Sequence, residues 1–592
     1  MGNMIIEKTK GIGTDGPICR EPMENHYVDA AMSQIPRLLS ILDRKKGSKT
    51  YGCFDRYYWR YKMIDFAGSN FQIATLPLAL VYSRTYSNNK YFKNHKIKDW
   101  TIAAMEFLSQ TQNNDGTLNC TYPHIWTVAS VAFPVYAVSE AYLLLNDEIK
   151  NHSKDAIVDT LEKSCRWLLK SHDIDVINQQ SGAMMALYNL YLVTGDEVYL
   201  KGAKDKIKLL LENRSSEGWF NEYGGGDVAY MTLTIDYLAK YYQKSGDKSV
   251  LNVLDDAIKF VSYFVHPNGT MGGEYCSRDP EFVVPSGFEI LSQDFPLASA
   301  IADSNLKALG LSQVVDPYCL DDFYITFFLH YFFQAYDNCR PRIYDAVLPC
   351  KCNPVTKYFP ENGNLIVRRD NYYMVVGGNK GGVLRIYSCD ANPDLVFSDC
   401  GFLGILDNGK VISNQLFGSS NPVFDEKSNT ITINGSFNKV SDTVFTPTTM
   451  VLSRIGLCTT RNISFIREAL IHQLRRIVIK TKSPIPLEFK RTIRCDENKV
   501  SIQDDLIIKG RIKLDYLNIA EKYSAIYGQS KEMFQIQELS GTNPMIDDNL
   551  AELISDNGSF SICREMYPNT KELRLVKVVV DPRYPAQVHK WR

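Results

Sequence analysis

The stretch NQQSGAMMALYNLYLVTGDEVYLKGAKDKIKLLLENRSSEGWFNEYGGGDVAYMTLTIDYLAKYY, residues 178–242, decides the fold. It reads as a helix, a tight Thr194-Gly195-Asp196 turn, a second helix, a glycine-rich loop and a third helix. Asn178 stands just before the first of these helices. Tyr230 opens the equivalent helix of the next unit, 52 residues on. Helical hairpins stacked around a ring bring such helix entrances together at one end, so an amide and a phenol are expected to face one cleft.

The same pattern recurs outward from this stretch. Short turns fall at Tyr86-Ser87-Asn88-Asn89, Asn146-Asp147 and Ser245-Gly246-Asp247. Longer connections fall at Asn113-Asn114-Asp115-Gly116, Ser171-His172-Asp173, Ser215-Ser216-Glu217-Gly218 and Pro267-Asn268-Gly269. Both series repeat at roughly 45 to 60 residues, the length of one helical hairpin. Such a unit cannot bury its apolar stripe alone, so neighbours must stack. Residues 157–170 and 204–211 carry that stripe at helical spacing. A closed (α/α) toroid of hairpins over residues 26–340 is expected, with an open solenoid as the competing arrangement. The apolar run 323–335 is too short to span a bilayer and reads as a buried helix.

Between residues 338 and 360 the chain becomes proline-rich and loses its periodicity. Beyond it, strand-like runs at 372–377, 382–388, 395–398, 430–433, 476–480, 500–507 and 573–580 alternate with Gly and Asn/Asp turns such as Asp407-Asn408-Gly409. Many strands without long helices imply an antiparallel β-sandwich. The expected organisation is an extension (1–25), a toroid (26–340), a linker (341–365) and a sandwich (366–592). The fold class is therefore α+β and multidomain.

Composition bounds the function. The chain has 592 residues, too many for a single core. A formal net charge of −1 provides no global basic field for nucleic acid or an anionic membrane. Aromatics make up 12%, with 35 Tyr, which fits either a sugar-binding groove or an AT-rich genome. The N-terminus lacks an apolar segment long enough for a signal peptide. The 14 cysteines form no CxxC pair, so reduced thiols and a cytoplasmic location are expected. There is no HExxH, EF-hand loop, phosphate loop or GxSxG elbow. No metal, cofactor, nucleic-acid partner or membrane span is expected, and oligomeric state is not legible.

Several motifs remain: Asn178-Gln179-Gln180-Ser181-Gly182, Glu217-Gly218-Trp219-Phe220-Asn221-Glu222-Tyr223-Gly224-Gly225, Tyr230 opening a Thr-Leu-Thr helix, Gly273-Glu274-Tyr275-Cys276-Ser277-Arg278, Gly287-Phe288-Glu289, and Ser398-Asp399-Cys400-Gly401. Together they resemble the heparinase II/III-like polysaccharide lyases, which join a toroid to a β-sandwich and act on uronic-acid glycans. The resemblance spans about residues 50–420 and implies fold and reaction class, not substrate.

The implied chemistry is β-elimination. The C5 proton of a uronate leaves only if the C6 carboxylate is neutralised by donors. Asn178 supplies an amide for this, and Gln179 adds another. Tyr230 is the candidate base and acid. Its phenol ordinarily titrates near 10, so a cation such as Arg278 must favour the phenolate. The plainer reading is that Asn178 caps its helix and Tyr230 packs. Family members add a histidine from the β domain, but here that region holds only His472 and His589, neither in a matching segment. The missing role falls to His124, in Thr121-Tyr122-Pro123-His124, to Lys380, or to no residue. Arg56, Trp59 and Arg60, in FDRYYWRYKMIDF, and Tyr223, Glu274, Tyr275 and Arg278 are candidates for contacting an acidic glycan. The competing functions are uronate C5 epimerisation, glycoside hydrolysis through Glu222, Asp227 and Glu274, and glycan binding without turnover.

Overall fold

The computed structural model describes residues 25–120, 126–440, 446–460, 482–526, 530–546, 549–555 and 558–580. The helical part comprises α1 (Asn25–Ile41), α2 (Arg56–Trp59), α3 (Thr75–Ser83), α4 (His95–Phe107), α5 (Val128–Leu145), α6 (Asn151–Lys170), α7 (Ile177–Thr194), α8 (Glu197–Glu212), α9 (Val228–Ser245), α10 (Leu251–Ser262), α11 (Ser286–Leu291), α12 (Pro296–Gly310) and α13 (Asp322–Asn338). Helices α3, α5, α7, α9, α11 and α13 pack side by side as an inner ring, and α13 closes back onto α3. Helices α4, α6, α8, α10 and α12 lie outside them, and α1 packs on α12 and α13. The ring is closed, which excludes the open solenoid.

Sequence separates the two rings. Inner helix α7 is buried continuously from Ile177 to Leu190. Outer helix α6 buries a single stripe that includes Ile157, Leu161, Cys165 and Leu168. Inner helices also approach closely: a Cβ on Gly182 would lie 2.5 Å from the Phe133 ring of α5. By length and composition 128–148 would cross a membrane, yet most of it is buried in the ring, as in the core helix of a helical bundle. Helices α7 and α9 end alike, with Gly195 and Gly246 left-handed and their N–H groups donating to the Tyr191 and Tyr242 carbonyls at 2.8 Å.

Strands β1 (Val355–Phe359), β2 (Asn364–Arg368), β3 (Tyr372–Gly377), β4 (Val383–Ser388) and β5 (Leu395–Asp399) form an antiparallel meander. The second sheet is built from β6 (Phe402–Leu406), β7 (Val411–Ser413), β8 (Ser420–Asp425), β9 (Thr430–Lys439), β10 (Pro484–Cys495), β11 (Val500–Ile508), β12 (Leu514–Ile519), β13 (Ser559–Tyr567) and β14 (Glu572–Val580). Its order is β12-β6-β7-β9-β10-β11-β13-β14, with β8 paired to β9. The two sheets share one core.

The strand patterns report their layers. Strand β10 alternates buried and exposed positions, as expected of a sheet with one face in water. Strand β3, YYMVVG, is buried throughout. Its Tyr372, Met374 and Val376 join the sandwich core, while Tyr373 and Val375 join the core of the toroid. The first sheet is therefore a middle layer clamped between the ring and the second sheet.

Charges are buried in this middle layer. On β4, Arg385 donates to Glu281 Oε1 at 2.6 Å and to Glu274 Oε2, both in the loop after α10. Gly273 adopts φ 131°, and a Cβ there would lie 2.8 Å from the Arg385 guanidinium carbon, so glycine permits the pairing. Within the sandwich, Asp399, Asp504, Arg491 and Arg564 form a closed ionic cluster. Burial pushes the Asp399 carboxyl up, but the two guanidiniums outweigh it and hold it below the usual range. The Ser398-Asp399-Cys400-Gly401 motif thus serves the sandwich core.

Two expectations change. Residues 341–365 already contain β1 and the start of β2, so the first sheet begins inside the expected linker. The β part holds α14 (Pro447–Thr460) and α15 (Leu550–Ser555), whose short apolar content gave no helical period. The FDRYYWRYK stretch forms only the single turn α2, because Asp55 caps it and Arg60 already ends it. The strand expected at 476–480 lies outside the described residues.

Replacing Arg385 by Met should cost roughly 3–5 kcal/mol, because two buried carboxylates lose their partner. Urea unfolding measures this. A cost no greater than that of an exposed ion pair would show that the joint does not depend on it.

Candidate active site

The entrances of α5, α7 and α9 meet at one end of the ring. Ala129 N–H donates to Gln179 Oε1 at 3.0 Å, joining α5 to α7. Ile177 N–H donates to the Asn221 carbonyl at 3.1 Å, and Tyr223 N–H to the Asp175 carbonyl at 2.7 Å, joining α7 to the loop before α9. The three helix entrances expected to lie together are thus joined by two backbone bonds and one to the Gln179 side chain.

Asn178 occupies the second position of α7; the cap is Val176, without a side-chain bond, so the plain capping reading fails. Its backbone N–H donates to Glu222 Oε1 at 2.9 Å and its Nδ2 to Glu222 Oε2 at 2.6 Å. One amide hydrogen is thus fixed on Glu222. Burial, with some repulsion from Asp227, pushes the Glu222 carboxyl well above the usual range despite these bonds.

Tyr230 is the third residue of α9. Asp227 caps the helix, its Oδ1 accepting from Tyr230 N–H at 3.1 Å and its Oδ2 from Arg278 N–H at 3.0 Å. Burial lifts the Asp227 carboxyl to about 6. The phenol is half-buried beside the Phe282 ring and shares a 2.6 Å hydrogen bond with Ser530 Oγ. Burial also pushes the phenol above its ordinary value, and Arg278 is the main group opposing this. The cation is therefore present as expected, but burial wins, so Tyr230 holds its proton at rest. The Arg278 guanidinium lies 4.3 Å from the centre of the Tyr223 ring. It acts electrostatically on both Glu222 and Tyr230, which ties the Asn178 and Tyr230 halves into one site.

Other candidates fall elsewhere. Glu274 is buried against Arg385. Tyr275 is buried with its hydroxyl on His266 Nε2 at 2.7 Å. Lys380, in the turn between β3 and β4, is fully buried, bonded to Asp279 and to the Cys276 carbonyl at 2.9 Å. These three hold the joint and do not face a ligand. Trp59 donates its indole N–H to the Ile41 carbonyl at 2.8 Å, and Arg56 donates to the Ser40 carbonyl at 2.6 Å, so both brace the first hairpin. Arg60 is exposed. Gln179 has its oxygen spent on α5. His124 lies outside the described residues, as do His472 and His589. Among the described residues, no group of three His, Cys, Asp or Glu converges to hold a metal.

Sequence reasoning missed Asp279, Ser524, Ser530 and Lys531. The last three come from the segment after β12 and reach the ring across the joint. No local motif marks them.

The fold is a helical toroid joined to a β-sandwich, the architecture of a chondroitin AC lyase. Residues 72–282 match the Ulvan lyase N-terminal domain family. The chain is similar in structure to the chondroitin AC lyase of Streptomyces coelicolor A3 bound to chondroitin sulphate, with TM-score 0.53 and 8% identity over 86% of this chain and 69% of that one. A heparan sulfate lyase, HepC, from Pedobacter heparinus matches at TM-score 0.39 and 10% identity over 86% of this chain and 73% of that one. An unsaturated glucuronyl hydrolase from Streptococcus agalactiae matches at TM-score 0.36 and 10% identity over 53% and 90%. No curated protein matches the sequence.

The Tyr230 phenol should remain protonated to at least about pH 10, the ordinary tyrosine value. Its ring-carbon resonance, assigned by loss in Tyr230→Phe, should not show the large shift of phenolate formation below that pH, whatever small change a neighbouring group's titration causes. Arg278→Met should raise its midpoint further, because the opposing cation is gone. Titration near neutrality would refute the placement of this phenol.

Proposed function

We propose that the protein is a polysaccharide lyase that cleaves a uronic-acid-containing acidic glycan by β-elimination at the α5, α7 and α9 entrances. The observation that supports this reading is the Asn178 amide bonded to Glu222, a carboxyl that feels the same Arg278 charge as the Tyr230 phenol does. A uronate entering there meets an amide hydrogen for its C6 carboxylate. Because Glu222 is held toward its neutral form, the anion meets little repulsion from it.

Abstraction of the C5 proton then produces an enolate-like carboxylate stabilised by Asn178. The protonated Tyr230 phenol supplies a proton to the departing 4-oxygen. Ser530 must first yield its bond to the phenol. The base that takes the C5 proton is either Tyr230, after its own proton has moved to solvent, or His124.

The bonding of the carboxylates favours the lyase reading over the hydrolase alternative. Hydrolysis requires two carboxylates flanking the scissile bond. Glu222 is spent on Asn178, Asp227 on the cap of α9, and Glu274 on Arg385. Ulvan and chondroitin sulphate, the glycans named for the relatives, are the first substrates to assay.

Tyr230→Phe should lower turnover by at least ~10²-fold, the lower range for positioned proton transfer, with fold and binding retained. Asn178→Ala should lower it as well. Appearance of the ultraviolet-absorbing unsaturated uronate measures both. A large loss in His124→Ala assigns it the base, whereas a small loss leaves both roles with Tyr230. Near-normal activity of Tyr230→Phe would overturn the mechanism.

A further inference from the structure

Asp279 stands at the edge of the site in an unusual state. It adopts φ 70°, a conformation that costs a residue with a side chain about 1–2 kcal/mol. It is almost wholly buried and sits between two ammonium groups. Lys380 pairs with its Oδ1 from the turn after β3, and Lys531 Nζ lies 3.8 Å from its Oδ2. Ser524 donates to the same Oδ2, and Lys531 also bonds Ser524. The Lys531 side chain is 4% exposed, so this contact belongs to the interior rather than to a solvated surface.

Two neighbouring residues then matter. Arg278 directly precedes Asp279, so the turn that holds Asp279 also sets where the guanidinium over Tyr223 points. Ser530 directly precedes Lys531 and holds the Tyr230 hydroxyl at 2.6 Å. One dipeptide of the β part therefore touches the phenol with one residue and the Arg278 turn with the next.

We infer that Lys531 is a positioning residue of this site: by pinning Asp279 it fixes the Arg278 guanidinium that acts on Tyr230, and so couples the sandwich to proton transfer in the ring. The inference rests on the lyase reading above and adds a residue that its mechanism did not use. The charged groups facing Lys531 are Asp279, Lys380 and Arg278, with Glu532 beside it in the chain. Burial pulls its ammonium down to about 8, Lys380 and Arg278 add to this, and Asp279 opposes it. The pin is charged at neutral pH and is lost as pH rises through about 8. Activity should have an alkaline limb there that belongs to Lys531.

The test uses the full chain with ulvan oligosaccharides, or chondroitin sulphate if those are not cleaved. Lys531→Met should lower kcat by about tenfold to a hundredfold with KM little changed, the scale of a small misplacement of a reacting group. Lys531→Arg should restore kcat at neutral pH and abolish the limb near 8, because a guanidinium stays charged. A second readout needs no substrate. The Tyr230 ring-carbon resonance should show a small perturbation with midpoint near 8 in the native protein and none in Lys531→Arg. If Lys531→Met does not fold, Lys531→Arg still decides the matter. An alkaline limb and a Tyr230 resonance in Lys531→Arg identical to those of the native protein would overturn the inference. Tyr230→Phe, assayed alongside, separates this failure from failure of the lyase reading itself.

Discussion

The structure depends on a sheet that has no free face. Strands β2, β3 and β4 bury one side against the helical ring and the other against the second sheet, so every side chain along them must find a partner. Most are apolar and do so by packing. Among the polar ones is the buried Arg385, and its pairing with Glu274 and Glu281 ties the middle layer to the loop that follows α10. That same loop continues into Cys276, Arg278 and Asp279. The constraint that joins the two halves of the protein therefore also places the cation of the site. A buried ion pair of this kind adds little net stability compared with apolar packing, but breaking it is costly, so it specifies one arrangement of ring and sandwich.

Burial governs the chemistry as well. Glu222, Asp227 and Tyr230 are all moved toward their neutral forms by loss of water; hydrogen bonds from Asn178 oppose this at Glu222, backbone N–H groups of Tyr230 and Arg278 oppose it at Asp227, and the Arg278 charge opposes it at Tyr230. A site of low charge with one fixed cation and one oriented amide suits an anion that must become more negative at its carboxylate during reaction. Under the proposed elimination, a donor fixed before the substrate arrives needs no reorganisation when charge develops on the carboxylate, and the protonated Tyr230 is the proposed source of the proton for the leaving oxygen.

The ring was legible because its signals are local. Gly195 and Gly246 mark helix ends, Asp196 and Asp227 mark beginnings, and the spacing of these positions sets the hairpin length. Asn178 and Tyr230 were legible for the same reason, since both stand at helix entrances. The middle sheet was partly legible: the unbroken apolar run Tyr372–Gly377 shows burial on both faces. What each polar residue bonds to was hidden. Glu274, Tyr275 and Lys380 look like ligand contacts in sequence, yet Glu274 and Lys380 bond to partners about a hundred residues away and Tyr275 to His266 nine residues back, and all three are buried. Ser530 meets Tyr230 across 300 residues, and no periodicity or motif encodes that meeting. Helix α14 was missed because its Thr-rich, β-branched sequence carries no strong helical propensity.

The central claim is that the glycosidic bond is broken by elimination and without water. Digestion of a uronate-containing oligosaccharide in heavy-oxygen water, with the products weighed by mass spectrometry, tests this directly. Elimination leaves the two fragments summing to the mass of the substrate, with an unsaturated uronate at the new non-reducing end and no heavy oxygen introduced by cleavage. Fragments that together gain one water and carry the heavy label at the cleaved bond would contradict the account.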